Sequence, residues 1–211
     1  MRILVVNGSP NKKGNTYTAL NEMRKIFEAE GAQVDWIDLG PGAIRGCADC
    51  GRCSDMGICV FDDVVNKAAP LFKACDGMVV GSPVYYASAN GSVISFMDRL
   101  FFSARVDKRM KVGASVAVAR RAGTIAALDD INRYFAISQM PIATSQYWNV
   151  VYGGAEGDAA FDPEGMHTVR TLAQNMVFMI RSIALGKEKF GLPEPIKKTF
   201  TNFVRADLKN E

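Results

Sequence analysis

Arg2-Ile-Leu-Val-Val-Asn-Gly-Ser-Pro10, continued by Asn11-Lys-Lys-Gly-Asn-Thr-Tyr17, is the stretch that decides the fold. Residues 2–6 are a short, β-branched apolar run without polar alternation, which is how a strand buried on both faces of a parallel sheet reads. Asn-Gly-Ser-Pro breaks the strand. From Asn15 to about Glu30 apolar residues then recur on one helical face, at Ala19, Met23, Ile26 and Phe27, with Gly31 as C-cap. A buried strand, a polar loop and an amphipathic helix are the opening of a βαβ unit.

The unit repeats along the chain. Gln33–Leu39 is a second strand, closed by Gly40-Pro-Gly. Asp62-Asp63 open a helix to about Lys73, their charges suited to its positive end. Gly77–Gly81 is a third strand and Ser82-Pro-Val-Tyr-Tyr86 its exit loop. Helices are predicted over about Asn90–Phe102 and Thr124–Ile137, strands over Val112–Ala119 and Pro141–Val150. A Gly-rich loop at 153–157 leads to a last helix, about Glu164–Leu185. Five strands alternating with five helices predict one α/β domain, a parallel sheet covered on both faces, spanning residues 1–189 with a cysteine loop at 46–60. Residues 190–211 form a C-terminal extension without an evident partner, suited either to a neighbouring subunit or to a surface tail.

Composition narrows the function. The 211 residues are 48% hydrophobic and 22% charged, as in globular domains. Twenty-five Lys and Arg against 22 Asp and Glu leave +3, too little and too scattered for nucleic acid or a membrane surface. No apolar run is long enough to span a bilayer, and the four-residue apolar start is no signal peptide, so a reducing cytoplasm is expected. The single histidine, His167, and the lack of a Gly-x-Ser-x-Gly elbow argue against a hydrolase triad. His167 is expected at the surface and Cys75, beside an apolar strand, as a small buried hydrophobe.

Two segments carry chemistry. After the first strand, residues 8–17 lead into a helix N-terminus, whose unpaired N–H groups and partial positive charge suit a phosphate. Ser9 and Thr16 add hydroxyls, Gly14 a close backbone turn, Lys12 and Lys13 positive potential at the rim. Neither a GxGxxG turn nor a Walker loop is present, and Ser, Asn and Thr acting only as caps explain the segment equally well. Placement favours a ligand, because open α/β sheets bind at the carboxyl ends of their strands. Pro83 stiffens the exit of the third strand there, and Tyr85 and Tyr86 supply an aromatic wall or ordinary packing. Arg120 and Arg121 are expected as a solvated pair.

The second segment is Cys47-x2-Cys50-x2-Cys53-x5-Cys59. Closely spaced thiolates wrapping a loop suit an iron–sulfur cubane. Val60 stands where a ferredoxin places proline. Tetrahedral zinc fits this pitch less well, disulfides are disfavoured by compartment, and cysteines that bind nothing are a further alternative.

Gly8-Ser-Pro, Gly14-Asn-Thr, Ser82-Pro-Val-Tyr85 and Phe96-Met-Asp-Arg99 together resemble the NADPH-dependent FMN reductase-like branch of the flavodoxin superfamily, over most of residues 1–185. The resemblance implies a three-layer, doubly wound, flavodoxin-like sheet of five parallel strands in the order 2-1-3-4-5. It implies FMN, with its phosphate on Ser9, Pro10, Asn11, Gly14, Asn15, Thr16 and Tyr17 and its ring against Pro83, Val84, Tyr85 and Tyr86. Cys47 through Asp63 is similar to the cysteine segment of the iron–sulfur flavoproteins. That implies a 4Fe–4S cluster on Cys47, Cys50, Cys53 and Cys59, NAD(P)H as donor, a small-molecule or protein redox partner, and a homodimer or homotetramer. No side chain is expected to be catalytic in its own right, since a flavin carries the reaction. Two further readings stay open: an NAD(P)H-dependent FMN, quinone, azo or nitro reductase without a cluster, and a non-catalytic redox-sensing module.

Overall fold

Alternate side chains of the first strand, β1 (Arg2–Asn7), go to different cores: Ile3 and Val5 to one, Leu4 and Val6 to the other, all fully buried. A strand buried on both sides must lie inside a three-layer structure. The computed structural model, which describes residues 1–197 and 199, has that architecture. Its strands are β1, β2 (Gln33–Asp38), β3 (Gly77–Tyr85), β4 (Ser88–Ala89), β5 (Val112–Ala119) and β6 (Val150–Tyr152), in the order β2-β1-β3-β5-β6. All pairs on this path are parallel; the two-residue β4 pairs antiparallel with the end of β3. Setting β4 aside, the predicted order of five parallel strands is the observed one.

Helices α1 (Asn15–Ala29) and α6 (Pro163–Phe190) cover one face. Leu20, Met23 and Phe27 meet Val169, Leu172, Met176 and Ile180, spacings of three and four that make a continuous stripe. Helices α3 (Val64–Ala74), α4 (Gly91–Ser103) and α5 (Thr124–Ile137) cover the other, around Phe72, Phe96, Leu100 and Phe135. Gly113 of β5 lies where the Phe135 ring leaves no room for a Cβ, which would stand 2.4 Å from the ring. No helix among the described residues is long and apolar enough to cross a membrane.

Three elements depart from their sequence prediction. Ser82–Tyr85 is strand rather than loop: Ser82 and Pro83 continue the ladder with Ala117 and Val118, and Val84 and Tyr85 pair with β4. The β1 ladder ends at Asn7–Gly81, so one edge of the strand is already free where Pro83, lacking an N–H, arrives. The strand predicted over 141–150 is mostly a detour. Ile142 makes one bridge to Gly113, and regular pairing resumes only at Val150 with Ala117. Finally, α6 runs five residues beyond Leu185, with Phe190 as its last residue, and Arg109 Nη1 donates to Pro193 O at 3.1 Å. The described part of the extension thus folds back on its own chain; residues 198 and 200–211 lie outside the described residues.

Candidate functional site: two loops at the carboxyl edge

The loop after β1 is built around Asn7, which is fully buried. Its Nδ2 donates to Asp38 Oδ1 (2.9 Å) and its Oδ1 accepts from Ser9 N (3.2 Å), so β1, β2 and the loop are fixed to one side chain. Ser9 Oγ accepts from Asn11 N (3.1 Å) and keeps its proton to donate. Gly8 N donates to Gly81 O (2.8 Å), and a Cβ at Gly8 would stand 2.6 Å from that oxygen and 2.2 Å from Val93 Cγ2. Glycine is required there by proximity, not by φ.

Helix α1 begins directly behind this loop. Its N-cap is Gly14, with no side chain to accept a bond, and no acidic residue stands in its first turn. Helices α3, α4 and α6 differ: Asp63, Asn90 and Asp162 each accept from a first-turn amide. An uncapped, positively polarised helix end suits an anion, and the free first-turn amides are the fit that a flavin phosphate requires.

Three further loops close a ring about this edge. Asn15 Nδ2 donates to Ala155 O (2.7 Å) while Ala159 N donates to Asn15 Oδ1 (3.1 Å), which ties α1 to the loop after β6. A Cβ on Gly154 of that loop would touch Arg120 Cγ at 3.3 Å. Gly123, at φ +92°, lies against Ala87 so closely that a Cβ would be 2.7 Å from its Cα. Asn90 Nδ2 reaches Gly8 O (3.1 Å) and returns the ring to its start. Tyr85 is half exposed and Tyr86 fully so, at the tip of the β3–β4 hairpin.

The cysteine segment lies beside α4. Cys47, Cys50, Cys53 and Cys59 all line one small cavity, with Phe61, Arg99, Phe102 and Ser103 in its wall. All four are free thiols; Cys47 and Cys50 are exposed, Cys53 is buried at the start of α2 (Cys53–Met56), and Cys59 is half-buried. Gly51 and Gly57, both at φ +69°, let the backbone curl between them. Among the described residues no three ligand-type side chains converge closely enough to hold a single metal ion.

Arg99 organises this loop and is 1% exposed. Its guanidinium donates to Asp63 Oδ2 (2.5 Å) and Oδ1 (3.1 Å), to Phe61 O (2.9 Å) and Arg45 O (3.3 Å), and through Nε and Nη2 to Cys59 Sγ (3.3 Å each). Burial alone would push Arg99 down, but Asp63 and Cys59 more than offset it, and the net shift is upward. Asn66 completes the clamp: its Nδ2 donates to Cys59 O (2.9 Å) and its Oδ1 accepts from Cys59 N (3.1 Å). The sequence reading gives Asp63 a helix-opening role, which it holds as the N-cap of α3, and Arg99 a place in a family motif, but ties neither of them, nor Asn66, to the cysteine loop. One signal was available for Arg99, which stands three residues after Phe96 and three before Phe102 and so shares a helical face with both.

Residues 1–154 match the family of NADPH-dependent FMN reductases. The chain belongs to that family. This FMN reductase family member is therefore a flavin-dependent oxidoreductase that binds FMN. It is 29% identical to an iron–sulfur flavoprotein of Methanocaldococcus jannaschii, over 87% of this chain and 99% of that one. It is 25% identical to the iron–sulfur flavoprotein of Methanosarcina thermophila, over 90% and 100%. Among solved structures, an archaeal flavodoxin superposes with TM-score 0.55 at 17% identity, over 84% of this chain and 99% of that one. RosB superposes with TM-score 0.66 at 12% identity, over 98% and 93%. These structures share the flavodoxin-like fold.

Within the family framework the predicted residues fall into two groups. Ser9, Pro10, Asn11, Gly14, Asn15 and Thr16 surround the uncapped end of α1, with Thr16 almost fully buried. Tyr17 stands in the same first turn, and its ring packs on Trp36 of β2, ring centroids 5.4 Å apart. Gly14 has φ −72°, so its use lies in the missing side chain rather than in a left-handed turn. Pro83 belongs to β3, correcting its role as a stiff turn. Arg120, Arg121 and His167 are exposed and Cys75 is buried, as the sequence predicts.

Proposed function

We propose that this family member is an NAD(P)H-linked FMN oxidoreductase carrying a 4Fe–4S cluster on Cys47, Cys50, Cys53 and Cys59, delivering electrons to a small-molecule or protein partner. The observation that carries this is the shared cavity: four thiols separated by up to twelve residues line one wall-to-wall space beside a buried cation. The names of the two full-length relatives support it. When bound, FMN takes up an electron pair as hydride and a cluster carries electrons singly, so the pair converts two-electron into one-electron traffic.

The chain's own residues supply the rest. The first-turn amides of α1 and the Ser9 hydroxyl bind the phosphate, and Asn15 holds the loop after β6 over it. The β3–β4 hairpin, from Pro83 to Tyr86, offers the ring a wall. Arg99 places a fixed positive charge beside Cys59 Sγ, offsetting the negative charge that four thiolates gather. Exposed Tyr86, Tyr147, Trp148 and Phe161 support a homodimer or homotetramer, and the free thiols a reducing cytoplasm as the working compartment.

Anaerobic purification with iron and acid-labile sulfide assays tests the proposal. Flavin absorption bands with a broad charge-transfer shoulder are expected, and Cys50→Ala should abolish the shoulder, iron and sulfide while FMN stays bound. Flavin bands without iron or sulfide would overturn the cluster.

A further inference from the structure

Ser103 is the last residue of α4 and 3% exposed. Its Oγ is the one buried side-chain N or O atom among the described residues that has no hydrogen-bond partner. Other buried serines are satisfied: Ser82 Oγ donates to Pro83 O (2.8 Å) and accepts from Asn90 N (2.9 Å), and Ser115 Oγ donates to Asn132 Oδ1 (2.8 Å). A helical hydroxyl normally has an outlet in the carbonyl four residues back. Thr171 uses it, donating to His167 O at 3.0 Å. For Ser103 that acceptor is the carbonyl of Arg99, and it is not used.

Ser103 is instead one of the residues lining the cavity that Cys47, Cys50, Cys53 and Cys59 also line. Side-chain donors reach only one of the four sulfurs among the described residues, Cys59, through Arg99. Phe102, the other nearby wall residue of α4, is apolar. Orphaned buried hydroxyls are rare in native proteins, and one on a residue that lines the same cavity as four sulfur acceptors has a chemical use there.

We infer that Ser103 is a positioning residue for the cluster: its Oγ–H donates a hydrogen bond to a cluster sulfur and holds the reduction potential up. The reduced cluster bears one more negative charge than the oxidised one, so a donor to sulfur stabilises the reduced form more. Arg99 acts on Cys59 in the same sense, and Ser103 adds a neutral donor from the last turn of the same helix. The inference rests on the cluster proposed above.

Spectroelectrochemical titration of the anaerobic full-length holoprotein tests it, comparing wild type with Ser103→Ala and Ser103→Thr at matched FMN, iron and sulfide content. The expected result is a lower cluster midpoint potential in Ser103→Ala, a near wild-type value in Ser103→Thr, and an unmoved flavin couple in both. Equal cluster potentials in wild type and Ser103→Ala would overturn the role of Ser103 and leave the cluster standing. Wild-type protein without iron and sulfide would overturn both. If Ser103→Ala does not retain its cluster, Ser103→Thr and Ser103→Val form a matched pair of one shape. A lower potential in Val, or loss of the cluster from Val alone, supports the hydrogen bond. Equal potentials, or loss from both, overturn it.

Discussion

At the residue scale, Cys75 shows how one buried thiol ties stability to pH. It follows α3, is 1% exposed, and donates through Sγ to Phe72 O at 3.3 Å. Burial pushes the thiol up from 9.0 to about 11. The folded state keeps its proton over a range where the unfolded chain has released it. Stability from this group is therefore full below about pH 9 and is lost as pH rises toward about 11, on the order of 3 kcal/mol in all. Urea unfolding at stepped alkaline pH should show that decline in wild type and a shallower one in Cys75→Ala; parallel curves would refute it. The sequence separated this cysteine from the other four correctly, because a lone thiol before an apolar strand has only packing to do. Arg99 was legible as a helical charge within a family motif but not as a clamp on the cysteine loop, since its partners Asp63 and Cys59 lie 36 and 40 residues away.

At the element scale, the β3–β4 hairpin turns through Tyr86 and Ala87, at φ +50° and +58°. Positive φ at both central residues is the demand of a type I′ turn, which favours Asn-Gly. Two residues with a Cβ there store backbone strain, held by Asp130, which accepts from Ser88 Oγ (2.6 Å) and Ala89 N (3.2 Å). Replacing the pair with Tyr86→Asn and Ala87→Gly should raise stability by about 1–2 kcal/mol and weaken FMN binding as the aromatic wall is lost. Chemical unfolding together with a fluorescence titration of FMN reads both; unchanged stability would mean the turn is unstrained. Nothing local announces this hairpin, because proline and two tyrosines after an apolar run read as a loop. Pairing with β4 is available only once α5 brings Asp130 alongside.

At the scale of the whole molecule, the proposed FMN site lies where four loops meet, so its occupancy and the stability of the fold are linked. FMN at about a hundred times its dissociation constant should add about 2.7 kcal/mol to unfolding, read as a rise in the thermal midpoint. Gly8→Ala drives a Cβ into Gly81 O and Val93, separating the phosphate loop from β3. That variant should lose about 1–3 kcal/mol of basal stability and most of the FMN increment. An FMN increment undiminished in Gly8→Ala would place the phosphate elsewhere. The layered architecture behind the site was legible from the chain, since strands buried on both faces must be apolar throughout and helices covering them must carry a stripe. The last strand was not. Over residues 141–150 the composition suits a strand, yet β5 advances four residues from Gly113 to Ala117 while the edge advances eight, from Ile142 to Val150.

Short-range order in the chain was enough to set the alternation of strands and helices, the polar loop at the mouth of α1 and the four-thiol spacing. Periodicity and turn chemistry act over a few residues, and a sequence states them directly. The Arg99 clamp on Cys59, the unpartnered hydroxyl of Ser103 among the wall residues of the thiol cavity, the strained hairpin and the detour before β6 came from the packed molecule alone. Each depends on groups brought together from distant parts of the chain, and distance along the chain carries no record of which groups will meet.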